Sequence, residues 1–328
     1  MRLVGTGVHE PGRVVTSLAL DAEHGRAPGT TEQRCEVVSR RWVAPGETSS
    51  VMAASAVRQA LDVAGMGVQD LDALVVAAVV PEQPMPTTAV LTLRELGGPG
   101  GDTEAFDVNS SSLGFLTGVE IAALGLAAGR WGTVGVVATE VASARLDHDD
   151  VEASGLFGDG AAAAVLVREL VRRPGSAVVG LRFELWPDAA GASVIAAGGT
   201  RWNTATPPPD DRAYRLVMDS PAVARATAAH LPGFLAALAG QAGFTLPEAD
   251  LVVPHQASAA GLRLLRERLG VPDERVVDIL TDHGNQVSAS LPTALHTAAS
   301  GGRLARGDRV VLVGTGAGFG LGAVALRY

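Results

Sequence analysis

AVRQALDVAGMGVQDLDALVVAAVVPEQP, residues 56–84, reads as an Ala-rich helix, a small turn with a Gly, an acidic spacer and an apolar strand that runs out at a proline. FLAALAGQAGFTLPEADLVVPHQ, residues 234–256, has the same parts in the same order. The likeness continues downstream. SSSLGFLTGVEIAALGLAAGRWGTVGVVATE (110–140) and VSASLPTALHTAASGGRLARGDRVVLVGTG (287–316) each open on small residues, pass through a helix and a basic turn, and end in a Val-rich strand. A repeat with a period near half the chain is a duplicated domain, not a solenoid. The runs VVAAVV, VGVVA, LVVP and VVLVG are continuously apolar, as strands covered on both faces are. Their alternation with helices predicts two α/β units.

The first unit is placed at residues 1–170 and the second at 171–328, with the junction near 165–175 at VRELVRRPGSA. The opening MRLVGTGVHEPGRVV reads as a first strand and a turn. It has no apolar run long enough for a secretion signal, so the cytoplasm is the expected compartment. AAGGTRWNTATPPPDDRAY (196–214) is rich in Pro and Gly, lacks periodicity, and is expected to be a long surface loop.

Composition excludes several functions. All 26 basic residues of the 328 are Arg. Without Lys there is neither a P-loop nor a Schiff base to a pyridoxal cofactor. Cys35 is the only cysteine, which rules out an internal disulfide and cysteine-based zinc sites. The net charge of -9 argues against a broad nucleic-acid surface. No run of about 20 uninterrupted apolar residues suggests a membrane span. His9, His24, His148, His230 and His296 show no ligand spacing, so no metal site is expected.

Three segments carry polar residues that packing alone does not explain. Ser112 lies in DVNSSSLGF, at the mouth of a helix. His255 lies in PHQAS, directly after an apolar strand, where α/β sheets present ligand-facing residues. Asn285 lies in DHGNQVSASLP, where Gly284 permits a tight backbone. Each has an ordinary explanation. Asn109, Ser110, Ser111 and Ser112 are all good helix caps, and so is Asn285. His283 reads as a solvated loop residue. The functional reading of Ser112 uses the same place: a helix N-terminus favours an anion.

At this point the chain resembles a known family, the thiolase-fold ketosynthases, most closely β-ketoacyl-acyl-carrier-protein synthase III. The resemblance runs through VGTGVHEP, RRWVAPGETSS, DVNSSSLGF, LFGDGAAAAVLV, PHQAS, DHGNQVSASLPTAL and VGTGAGFGLGAVALRY, in order and over nearly the whole chain. It implies a duplicated five-layered αβαβα architecture with the site between the halves. It also implies a cytoplasmic acyltransferase that needs no bound cofactor. Such enzymes load an acyl group from acyl-CoA onto a nucleophile, decarboxylate malonyl held on an acyl carrier protein, and join the two. The family's nucleophilic Cys falls on Ser112, its His on His255 and its Asn on Asn285. The acyl oxyanion would be held by the backbone N–H groups of Ser112 and Ala317. Phe157 matches a pocket phenylalanine. Met85 falls where many members place a Phe from the partner subunit, implying a homodimer with a pocket larger than acetyl requires.

The sequence departs from the family in two places. A hydroxyl is far less acidic than a thiol and needs an adjacent base, so His255 would take the Ser112 proton during loading. Two origins for Ser112 stay open: a native serine, as in family members that choose polyketide starter units, or a cysteine replaced to trap a substrate. The adenine clamp of the family falls on Thr30 and Val151, which neither stack nor pair with a base, although Arg34 remains. An acidic carrier protein could instead deliver the acyl group, docking on Arg263, Arg266 and Arg268 of the helix after His255. Three functions therefore remain in play: a condensing enzyme of specialised metabolism at a starter-unit step, an acyltransferase of the same fold without condensation, and an inactive partner subunit.

Overall fold

A computed structural model describes residues 1–98, 100–169 and 176–328. The expected junction at 170/171 lies outside the described residues. The first half contributes strands β1 (Arg2–His9), β2 (Arg13–Thr16), β3 (Ser39–Trp42), β4 (Ala73–Ala77), β5 (Glu104–Val108), β6 (Thr133–Glu140) and β7 (Gly160–Val167). The second contributes β8 (Ala177–Leu185), β9 (Ser193–Val194), β10 (Val217–Met218), β11 (Leu251–Pro254), β12 (Arg309–Gly316) and β13 (Gly320–Arg327).

Two sheets carry the fold. Their strand orders are β1-β7-β6-β4-β5 and β11-β12-β13-β8. In the first, β4 is parallel to β5 and β6, while β7 is antiparallel to β6 and β1. In the second, β11 is parallel to β12, while β13 is antiparallel to β12 and β8. The two patterns superpose if β8, β13, β12 and β11 stand for β1, β7, β6 and β4. The counterpart of β5 is reduced to one parallel bridge, Val252 to Val276. The duplication read from the sequence is thus present in the topology, strand by strand.

Helices fill three layers around these sheets. Gly114–Ala128 and Ser290–Ser300 lie between them. Phe115, Leu116, Leu291 and Leu295 share one core with Val75 and Val136 of the first sheet and Val253 and Leu312 of the second. Ser49–Ala64 covers the outer face of the first sheet through Met52 and Val57. Ser220–Ala242 and Ala259–Leu269 cover the second through Phe234, Leu238 and Leu265. The result is five layers, αβαβα. The segment 111–128 is apolar enough by composition to cross a membrane. Its place between two sheets accounts for that hydropathy.

Local sequence explains how the layers approach. The helix Ser49–Ala64 starts under the Thr48 side chain and stops at Gly65, which takes φ +68°. Its inner face is largely alanine, and it presses on glycines of β1. A Cβ at Gly7 would lie 2.2 Å from the Ala56 carbonyl oxygen. Gly7→Ala is therefore expected to cost about 1–3 kcal/mol through forced separation of helix and strand. Denaturant unfolding measures this, and an unchanged midpoint would contradict the close packing.

Candidate active site

Ser112 sits between the end of β5 and the helix Gly114–Ala128. Ser111 before it has φ +53°, a left-handed backbone uncommon outside glycine. The turn is held locally: the Ser111 N–H donates to Asn109 Oδ1 at 3.0 Å, and the Asn109 amide donates to the Val79 carbonyl at 3.0 Å. The helix is capped by Leu113 without any side-chain hydrogen bond. The ordinary capping explanation for the three serines therefore fails, and only Asn109 has a local bracing role.

His255 follows β11 directly, and its backbone N–H donates to the Val313 carbonyl at 2.8 Å. Gln256 locks the turn by donating to Pro254 and Val277 carbonyls and accepting from the Ile279 N–H. Gly314 makes room for the ring, since a Cβ there would lie 2.9 Å from the His255 Cβ. The imidazole is buried, and its Nδ1 has no hydrogen-bond partner among the described residues. Burial pushes its pKa down to about 4, so it is neutral at pH 7.

Asn285 braces its own turn, in keeping with its ordinary explanation. Its Oδ1 accepts from the Val287 N–H at 2.8 Å and from the Ser290 hydroxyl at 3.3 Å, bracing the turn into Ser290–Ser300. Its Nδ2 donates one hydrogen to the Ala257 carbonyl at 3.1 Å. The second amide hydrogen is left as a donor. Gly284 takes φ +65°, and a Cβ there would lie 2.4 Å from the Leu156 carbonyl oxygen. The Asn285 backbone bonds on both sides of Phe157, to Leu156 and Gly158. His283 is not the solvated loop residue expected: it ends a short helix, Leu280–His283. Its Nδ1 lies 3.2 Å from the Ile279 carbonyl and its Nε2 lies 3.4 Å from Glu10.

Ser111, Ser112, Phe157, His255, Asn285 and Ala317 all line one cavity of about 950 Å³. The first three come from one half and the last three from the other. The remaining walls are largely apolar and include Leu156, Ile195, Val223 and Leu231. The segment 196–214 is not simply a surface loop, because Ala197, Gly198 and Gly199 line this cavity. Met85 does not line it and is 84% exposed on the same chain. The Ala317 N–H, expected to face an acyl oxygen, donates to Ser111 Oγ at 3.0 Å. Arg34 and Arg263 stand at the cavity, paired with Glu152 at 3.2 Å and Glu36 at 2.7 Å. Arg266 lies outside it, paired with Asp278 at 2.7 Å, and Arg268 is exposed. Two of the three helix cations expected to dock a carrier protein, Arg263 and Arg266, are therefore already paired. Thr30 and Val151 are not among the lining residues.

Comparison with known proteins bears on this arrangement. A family model described as 3-oxoacyl-[acyl-carrier-protein] synthase III matches residues 106–185, and the model of its C-terminal part matches 239–328. The β-ketoacyl-[acyl-carrier-protein] synthase III of Rhizorhabdus wittichii is 34% identical over 99% of this chain and 98% of its own. That of Bordetella petrii is 34% identical over 99% and 97%. The crystal structure of 3-oxoacyl-[acyl-carrier-protein] synthase III from Aquifex aeolicus superposes with a TM-score of 0.88 at 28% identity, covering 100% of this chain and 99% of that one. The priming β-ketosynthase of the R1128 polyketide pathway does so with 0.88 at 30% identity, covering 99% and 95%.

Sequence reasoning passed over two residues at the cavity. Cys35 lines it, but burial pushes its thiol up to about 11, which leaves it unreactive at neutral pH. Glu140 ends the fully buried β6. Its Oε1 accepts from the Val79 N–H at 3.0 Å and from the Ser288 hydroxyl. An acid ending VGVVATE, inside a fully buried strand, was the signal. Burial raises its pKa to about 8, so the folded state prefers the neutral carboxyl. An unfolded carboxyl ionises near its model value of 4.5, so the folded state loses ground as pH rises from about 4.5 to about 8. Glu140→Gln removes that loss. Its advantage in melting temperature over the parent is expected to grow from pH 5 to pH 8, and a constant difference across that window would contradict a neutral Glu140.

Proposed function

The chain belongs to the 3-oxoacyl-[acyl-carrier-protein] synthase III family, and on that premise we propose that it accepts an acyl group on Ser112 and condenses it with malonyl held on a carrier protein, at a starter-unit step. The convergence of Ser112, His255, Asn285 and Ala317 on one cavity carries this reading. In loading, the Ser112 oxygen attacks the thioester carbonyl, the C–S bond breaks, and the thiol leaves with the serine's proton. His255 is the base for that transfer. Because burial penalises a free imidazolium here, it takes the proton only as the new C–O bond forms.

In condensation, malonyl thioester loses CO₂ and becomes an enolate. A neutral imidazole N–H and the second Asn285 amide hydrogen suit its oxygen, because both are donors fixed before charge develops. The enolate carbon attacks the Ser112 ester, the C–O bond breaks, and the serine oxygen regains a proton. Arg34 and Arg263 at the cavity supply cations for a carrier's acidic surface or for the phosphate of its prosthetic arm. Their present ion pairs are more than a quarter exposed on each side, and such pairs are weak enough to exchange. We assign Met85 to contact with a second copy in a homodimer. A second reading, transfer of the acyl group without condensation, is favoured by the hydroxyl nucleophile alone.

Intact mass after incubation with acyl-CoA and acyl-carrier donors tests the loading step. One added acyl group is expected on the parent and on Ser112→Cys, and none on Ser112→Ala; loading that survives in the alanine variant refutes Ser112 as the acceptor. Asn285→Asp keeps the turn-bracing oxygen but loses the amide donors. It is expected to load normally and to release CO₂ from malonyl carrier about 100-fold more slowly, whereas unchanged CO₂ release supports a site that does not use Asn285. The His255 pKa of about 4 sets the acid limit, since the neutral ring predominates above it. Condensation is expected to stay level from pH 8 to about pH 5 and fall below that; a decline centred near 6.5 would mean a solvated imidazole.

A further inference from the structure

The Ala317 N–H that would face an acyl oxyanion already has an acceptor, the Ser111 hydroxyl oxygen at 3.0 Å. A backbone N–H has one hydrogen and one favoured line for its partner. Oxyanion stabilisation needs the acyl oxygen about 2.7–3.1 Å from such a donor. The Ser111 oxygen therefore stands where that oxygen would have to be. The placement is built in, because the Ser111 backbone is held at φ +53° with its N–H on Asn109. Ser111 also lines the cavity, together with Ser112 and Ala317.

We propose that Ser111 is a gate on the oxyanion site: its side chain holds the Ala317 N–H in the resting protein and must rotate away when an acyl donor enters. The proposal rests on the reading of Ser112 as acyl acceptor. The gate is a single χ1 rotation of a small side chain between staggered positions. Ser111 is a positioning residue in this account. It forms no bond to the acyl group, and its removal frees a donor rather than deleting one.

Two measurements on Ser111→Ala and Ser111→Gly test the gate. The first is hydrogen exchange of the Ala317 amide in protein labelled with ¹⁵N-alanine. Exchange about ten-fold faster in both variants is expected; exchange at the parent rate would show that the Ser111 oxygen does not hold this amide and would overturn the proposal. The second is single-turnover acylation followed by mass. The rate at saturating acyl donor is expected to rise about five-fold in both variants, roughly 1 kcal/mol at 1.4 kcal/mol per factor of ten. The donor concentration for half-saturation should not move, a split that general loosening of the fold would not produce.

Acceleration in the glycine variant alone would assign the effect to relief of the left-handed backbone and overturn the gate. Slower acylation in both would make the hydroxyl a donor to the oxyanion and also overturn it. Acylation of the parent with no rate change in the variants refutes the gate while leaving Ser112 as acceptor. No acylation of parent or variants refutes the reading of Ser112, and the gate with it.

Discussion

Two helices enclosed between two sheets set the terms for everything else in this molecule. Gly114–Ala128 and Ser290–Ser300 share a core with strands above and below them. Neither can turn its polar backbone ends outward through a sheet. The chain entering each helix lines the cavity, through Ser112 and through Asn285 and Val287. Close layering makes this possible, and small residues make the layering possible. A Cβ at Gly118 would come within 2.7 Å of Val136, and one at Gly114 within 3.0 Å of Ala77.

The same enclosure governs charge. His255, Glu140 and Cys35 are all held toward their neutral forms by burial. These buried groups rest neutral, whereas the charged Arg34 and Arg263 at the same cavity are paired with carboxylates. Dipoles already aimed are then worth more than they would be in water, since the surroundings need not reorganise. In the condensation proposed above, His255, Asn285 and the backbone would supply such dipoles as neutral hydrogen-bond donors.

Much of this was legible in the sequence because it is written locally. Apolar runs such as LVVP mark strands covered on both faces, and their recurrence after an Ala-rich helix exposes the duplication. The motifs around Ser112, His255 and Asn285 are short and in order, so their convergence followed from the family likeness. What escaped depends on partners far apart along the chain. The Ser111–Ala317 bond spans 206 positions and the Arg263–Glu36 pair 227, and neither residue type announces its partner. The contribution of Ala197–Gly199 to the cavity escaped for a different reason. An aperiodic, Pro- and Gly-rich segment has the same composition whether it lies over solvent or closes a wall.

The duplication itself divides labour unevenly. In the first copy a full edge strand, β5, leads into the turn that carries Ser112. In the second its counterpart has shrunk to the single bridge at Val276, and the chain so released forms the longer path through His283 to Asn285. The same junction thus occurs twice, once as a rigid strand and once as a longer path. The rigid copy has little latitude, because lengthening it would unzip an edge of the sheet. The longer path is fixed by contact instead: the Asn285 backbone bonds to Leu156 and Gly158, and a Cβ at Gly284 would lie 2.4 Å from the Leu156 carbonyl oxygen, so the site is held by a strand on the side of Ser112 and by close fit against the other half on the side of Asn285.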